Sequence, residues 1–454
     1  MGRRRSTEKA NPQFHLISIL DCELAGARFS MQEINLLQYM SEPRTSSDQI
    51  QPQRLGRSYA LYWAGSLSVA IGLWVQRLTV AWLAWEMTGS GFWLGLIATA
   101  DLLPSVALGP VAGIFADRLD RKRLTLLCQS SNVALVLVLA IFISDGHIDR
   151  YWLLAFAVLN GLISGVQQPV RMSLTATLVS KPQIARAVTL MSINAHAGRF
   201  AGPIIVGPIL AFGETSHAFL AAAGLYGAMI VLLPFIRVGD NSRDLTEWKG
   251  FRNEFSVGIR FATMNSAVSP VIWSFLLLSV FGRPIFELLP GLADGIFREG
   301  ASGFSWLAGA VGAGTIAACL WLAHRPDARC TLGAVINHIF LFGASALALS
   351  VAPNFWTAVG LATVAAFTAT AATIATVAVI QLSVPDDIRG RVLGIYGALY
   401  RAAPAVGAIA MGWISDITSL RWPIAIGAVV CIVWWLVMHF AKPRLAQAQE
   451  ADAD

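Results

Sequence analysis

The sequence predicts an all-α membrane protein of twelve transmembrane helices arranged as two six-helix pseudo-repeats. Three observations carry that expectation. The chain is 56% hydrophobic and 13% charged, with a mean hydropathy of +0.60, too apolar for a soluble domain of 454 residues to cover with polar surface. Its apolar residues fall in twelve runs, each near the roughly 20 residues a helix needs to cross a bilayer. The breaks between runs alternate in charge: those after segments 2, 4, 6, 8 and 10 hold sixteen Lys and Arg residues, whereas the opposite breaks hold only Arg150, Arg298 and Arg421. Basic loops stay in the cytoplasm, so both termini are expected there, in a multi-pass protein of the cell inner (plasma) membrane. The net charge of +6 resides in these loops and tails, which argues against a nucleic-acid partner.

Residues 1–58 are polar and carry no long apolar run with a cleavage site, so a secretory signal peptide is not expected. FHLISIL (residues 14–20) is too short to span, and a disordered cytoplasmic tail is expected here. Met40 offers a second start, which would make residues 1–39 an over-extension that N-terminal sequencing would reveal. An N-terminal bundle, 59–237, holds segments at about 60–86, 91–115, 124–144, 151–171, 187–212 and 217–236. A cytoplasmic linker, 238–266, carries Phe251, Phe255 and Ile259 at helical spacing among charges, the pattern of an interfacial helix. A C-terminal bundle, 267–441, holds segments at about 267–290, 303–323, 331–350, 354–380, 391–415 and 422–441, and 442–454 form a cytoplasmic tail. The halves echo each other: segment 2 opens SGFWL and segment 8 opens SGFSWL, while Arg199, Pro203 and Gly207 of segment 5 find counterparts in Arg401, Pro404 and Gly407 of segment 11. Two such halves imply a site between them.

Charges at mid-membrane cost on the order of 2.5–3.5 kcal/mol each on insertion scales, so their positions are informative. Arg77, Asp101, Arg199, Arg283, Glu287 and Arg401 lie inside the spans, on segments 1, 2, 5, 7 and 11, and Glu86 lies near an outer end. The cores of segments 3, 6, 9 and 12 carry none. A polar cavity lined by the first group is the simplest account. Arg77 and Asp101 lie about ten residues from the same ends of adjacent helices, hence at similar depth, and can pair, either as a structural bridge or with Asp101 as a titrating carboxylate. Arg283 and Glu287, four apart, share a face on a regular helix and can pair locally. His196 reads as a packing residue before a proton relay. The threonines of segment 10 read as close packing, and the tryptophans as interface anchors, with Trp74 and Trp82 able to offer flat apolar surface to a ligand.

The chain lacks the phosphate-cradling GxxxxGK[ST], HExxH and GxSxG, so neither ATP-driven pumping nor hydrolysis is expected and no enzyme is predicted. The five cysteines show neither paired nor metal-ligand spacing. No cofactor or metal is implied.

GIFADRLDRKRLTL (residues 113–126), between segments 2 and 3, resembles the signature loop of the major facilitator superfamily, with Gly113, Asp117, Arg118, Arg121 and Lys122 near their family places. Phe115 stands for the usual Leu and Asp120 for the second Gly. The resemblance implies that these five residues form the cytoplasmic gate, with Asp117 facing the N-terminus of segment 11 when the protein is open outward. Further stretches, WVQRLTVAWLAWEMTGS, NAHAGRFAGPIIVGPIL and PDDIRGRVLGIY among them, resemble the branch containing the enterobactin exporter, over about residues 57–440. Gly198, Gly202, Pro203 and Gly207 partly match the antiporter pattern of segment 5. The Arg that many drug/proton antiporters carry in segment 4 is absent at about Ala157, which directs attention to Arg77 and Asp101 for coupling. The resemblance implies efflux of a small molecule by alternating access, in exchange for protons, by a monomer. A dedicated siderophore exporter, a nutrient importer and a non-transporting scaffold or sensor remain alternatives.

Overall fold

Each apolar run becomes one helix, and twelve helices long and apolar enough to cross a membrane lie among the described residues. The computed structural model describes residues 55–238, 259–265, 268–324 and 331–451; the side chains of 110–118, 181, 185, 386–387 and 442–451 are outside that description. In chain order the helices are α1 (Arg57–Thr88), α2 (Gly91–Arg118), α3 (Arg121–Ser144), α4 (Arg150–Thr177), α5 (Ile184–Phe212), α6 (Thr215–Leu232), α7 (Ser269–Ile296), α8 (Gly300–His324), α9 (Leu332–Ser350), α10 (Phe355–Ser383), α11 (Asp386–Ile417) and α12 (Arg421–Ala451). The tail before residue 55 and most of the linker, Phe251 and Phe255 included, lie outside the described residues; 259–264 are helical.

Polar residues at the run boundaries fix where helices begin, because the first turn of a helix leaves N–H groups without partners. Asp120 accepts from the N–H groups of Lys122 and Arg123 at 2.8 and 3.0 Å, capping α3. Asp149 caps α4 through Tyr151 and Trp152, both at 2.9 Å, and Asn354 caps α10 through Thr357 at 2.9 Å. Gly89, at φ 57°, ends α1 in the left-handed conformation that glycine adopts without strain.

α7 is not a regular helix. An α-helical start (Ser269–Leu277) passes into a π-helical turn (Leu278–Gly282), a 3₁₀ stretch (Arg283–Leu288), a short α turn and a second π turn (Leu292–Ile296). Pro284 and Pro290 lack the N–H groups that a continuous α-helix would use.

Small residues let helices approach closely where the halves meet. A Cβ on Gly95 of α2 would collide with the Ala408 carbonyl of α11, and one on Gly412 of α11 would collide with the Gly91 carbonyl of α2. One continuous apolar core draws buried residues from both halves, from Val75 to Cys431. Hydrogen bonds join the halves along the part of α1 and α2 from Arg77 to Thr99. These contacts hold the halves together at the sparsely charged face.

Candidate functional site

A cavity of about 130 Å³ lies between the halves, lined by Trp74 and Arg77 of α1, Arg199 of α5, Arg283 and Glu287 of α7, and Tyr400 and Arg401 of α11. Five of the six mid-membrane charges read from the sequence therefore converge there, and Asp101 lines an adjoining pocket that also contains Arg77 and Glu287.

Their pairing differs from the sequence expectation. Arg77 donates to Glu287 Oε1 at 2.8 Å, across the two halves, and this is the one salt bridge among the described membrane-embedded charges. Asp101 instead accepts from Asn160 Nδ2 at 2.6 Å. Asn160 Oδ1 accepts from Gln76 Nε2 at 2.8 Å, and Gln76 Oε1 accepts from Tyr226 at 2.7 Å. This relay ties α1, α2, α4 and α6 together with every member partnered, as buried polar groups require. Depth along the helices placed Arg77 and Asp101 side by side; the rotation of α2 turns Asp101 toward α4.

The expected local pair of Arg283 and Glu287 does not form either, and the reason is the 3₁₀ stretch: at three residues per turn, residues four apart point about 120° apart. Arg283 donates to the Tyr400 carbonyl at 3.0 Å, and its guanidinium lies 3.9 Å from the Tyr400 ring centroid. Trp74 is flanked by two cations, Arg199 at 4.7 Å and Arg77 at 5.6 Å, so its ring serves guanidinium groups. Such contacts contribute about 0.5–2 kcal/mol each. Trp82 stacks on Phe304 of α8 at 6.0 Å, inside the protein and not at its interface. Among the described residues no carboxylate lies within 4 Å of Arg199, Arg283 or Arg401. The cavity carries a clear excess of positive charge.

The gate residues are placed less fully. The side chains of Gly113, Asp117 and Arg118 lie outside the described residues. Lys122 donates to the carbonyls of Pro234 (3.3 Å) and Ile236 (3.0 Å), capping the end of the sixth span within its own half, and Arg121 opens α3 beside it. Asp120 is a helix cap, which gives one acid of the loop a local role.

The opposite face holds a latch that the sequence reading missed. Asp416, at the end of α11, accepts from Ser90 Oγ at 2.5 Å, from Gly91 N–H at 2.7 Å and from Phe92 N–H at 3.3 Å, so it caps α2 of the other half. Beside it Trp85 donates to Asp294 at 2.9 Å. A signal was present: GIFAD ends α2 and GWISD ends α11, the same Gly-to-Asp spacing at the ends of the two helices that pack together. On α10, Thr363, Thr368, Thr373 and Thr376 donate back to carbonyls of their own helix, in keeping with packing.

The profile of the transmembrane secretion effector family matches residues 51–454. The staphyloferrin A transporter of Staphylococcus aureus is 25% identical over 390 residues, 85% of this chain and 96% of that protein. The enterobactin exporter of Shigella flexneri is 24% identical, covering 79% of this chain and 83% of its own length, and the multidrug efflux pump Tap of Mycolicibacterium fortuitum is 22% identical, covering 78% and 88%. Among solved structures, a bacterial homologue of the human lysosomal transporter Spinster, in an inward-facing and unoccupied conformation, superposes with a TM-score of 0.67 at 13% identity, covering 86% of this chain and 98% of that one. The nucleoside transporter NupG, as its D323A mutant, superposes with a TM-score of 0.64 at 12% identity, covering 84% and 98%. A twelve-helix membrane fold, a charged cavity between its halves and a family match over nearly the whole chain agree: the protein belongs to the transmembrane secretion effector family of major facilitator superfamily transporters, and moves a small molecule across a membrane.

Proposed function

We propose that this transporter exports a small anionic molecule across the inner membrane by alternating access, in exchange for protons. The observation that carries the reading is the cavity of four arginines, of which only Arg77 has a carboxylate partner. A desolvated cluster of unpaired guanidinium groups favours an anion, which restores the charge balance that the site lacks. Relatives named as an enterobactin exporter and a multidrug efflux pump support the outward direction. The basic face is the cytoplasmic one by loop charge, so the contacts at the opposite face close the outer side, with both termini in the cytoplasm and the monomer, built of bundles 59–237 and 267–441, as the working unit.

Arg77–Glu287 ties the halves together only while Glu287 is ionised. A proton on Glu287 loosens that tie and weights the equilibrium toward the outward-open state. Asp416 caps α2 when the outer face is shut; Asp117, near the other end of α2, caps α11 when the inner face is shut. Rocking then exchanges one cap for the other on the same pair of helices.

One observation favours a second reading, proton-driven import. An anion seated on Arg77 repels the adjacent Glu287 carboxylate, so local electrostatics draws an anion and a proton into the cavity together; exchange requires the conformational step to overrule that. Inside-out vesicles with an imposed pH gradient decide between them. Under export, an enterobactin-class or staphyloferrin-class anion added outside dissipates the gradient and accumulates, and Asp101→Asn, Glu287→Gln and Asp117→Asn lose this while still being inserted. Loss of preloaded anion together with protons, with no accumulation, would establish import instead.

A further inference from the structure

A second void is larger than the charged cavity. A groove of about 540 Å³, within the ~300–1,000 Å³ typical of small-molecule sites, runs along the seam between α5 and α8 and is lined almost wholly by apolar groups, among them Phe200, Ile204, Phe212 and Trp306. Ile204, Phe212 and Trp306 are 57%, 93% and 56% exposed; in a membrane-spanning bundle, such exposure is to lipid. Pro203 lines both this groove and the arginine cavity. Across from it stands Gly309, whose absent side chain leaves open space: a Cβ there would come no closer than 3.9 Å, to Pro203 Cβ. One residue on each helix thus separates the lipid side from the guanidinium cluster. Pro203 and Pro208 also deprive α5 of two backbone donors in this stretch, so the helix can bend here more readily than elsewhere.

We propose that the α5–α8 seam is a side port for an amphipathic anion, a carboxylate or phosphate on a single alkyl chain, whose tail lies in the groove while its head reaches Arg199 and the cavity beyond. The proposal rests on the anionic reading of the cavity and adds the shape of the ligand and its route. Charge and continuity argue for this occupant over a bilayer lipid merely filling the groove: the groove adjoins the arginine cavity at Pro203, and a neutral or cationic chain has no reason to approach that cavity.

The test uses the full-length protein in phosphatidylcholine proteoliposomes with dodecyl phosphate bearing a diazirine at the chain end, followed by mass spectrometry of labelled peptides, and radiolabelled butyl phosphate binding as a readout of the cavity alone. Labelling of α5 and α8 peptides is expected, reduced at least fivefold by excess dodecyl phosphate and unaffected by dodecyltrimethylammonium. Gly309→Leu should cut the labelling by a similar factor without altering butyl phosphate binding; Gly309→Ala, which adds a methyl group in open space, checks that substitution here preserves the fold and should label nearly as the wild type. Labelling that the cationic amphiphile removes equally, or that Gly309→Leu leaves intact while butyl phosphate still binds, would mean a groove filled by bilayer lipid and would overturn the port alone. Absence of butyl phosphate binding in the wild type would overturn the anionic cavity, and the port with it.

Discussion

Arg77 and Glu287 meet at 2.8 Å from opposite halves, so removing either charge leaves the other without its ion-pair partner inside the membrane span. Arg77→Gln and Glu287→Gln should each lower the unfolding temperature more than the double variant does, with a coupling of roughly 0.5–3 kcal/mol in a double-mutant cycle. Additive losses would mean that the bridge holds nothing together. The Asp101 relay makes a separate claim. Asn160→Leu leaves Asp101 and Gln76 without their shared partner, at a cost of about 1–3 kcal/mol, whereas Ala157, which lines the same pocket, should accept Val at a smaller cost. Thermal unfolding in detergent checks both. At this scale the sequence revealed which residues gather, because each charge in an apolar run stands out against its neighbours. It did not reveal who bonds whom. Gln76, Asn160, Tyr226 and Tyr400 carry no charge and look ordinary in a membrane segment, and depth alone says nothing of helix rotation.

All twelve helices were legible, their ends to within a few residues in most cases and five or six in segments 4, 7 and 11, since hydropathy fixes the runs, while caps such as Asp120, Asp149 and Asn354 set the starts. α7 was the exception. Its apolar run looks continuous, but Pro284 and Pro290 convert the middle to π and 3₁₀ turns, and that conversion frees Glu287 to cross to α1. The Asp416 cap on α2 was missed because acids at span ends are common; only its three accepted hydrogen bonds across the halves reveal a latch. A carboxylate at a helix N-terminus contributes ~0.3–1 kcal/mol, up to ~2 when partly buried. Asp416→Ala should therefore shift the balance toward the outward-open state by about 5–30-fold, the range that one or two kcal/mol allows. Spin labels on cysteines at His147 and Pro353, in the sparse-face loops of the two halves, should then show a second, longer distance population; an unchanged distribution would remove Asp416 from the gate.

At the scale of the molecule, the alternation of basic loops carries the expected orientation, but no sequence pattern specifies which face is shut, because the two packings of one chain differ by only a few kcal/mol. The structure makes the shut face a definite set of contacts. Within the first half, the Asp101 relay and the close approach of Gly198 and Gly202 to α1 bind helices tightly, whereas the halves are joined by hydrogen bonds along the Arg77–Thr99 stretch. Each half should therefore move as a body about the cavity. A covalent link at the shut face then has a definite consequence. An ideal Cβ at Gly91 lies 3.2 Å from Ser415 Cβ, a few tenths short of the ~3.5–4.5 Å of a disulfide, so Gly91→Cys/Ser415→Cys in a cysteine-free background should oxidise readily. The link should abolish transport, and reduction should restore it, while anion binding from the basic face persists throughout, because the link constrains only the opposite face. Transport that survives oxidation would show that the halves need not part at this face, and alternating access about the arginine cavity would fall.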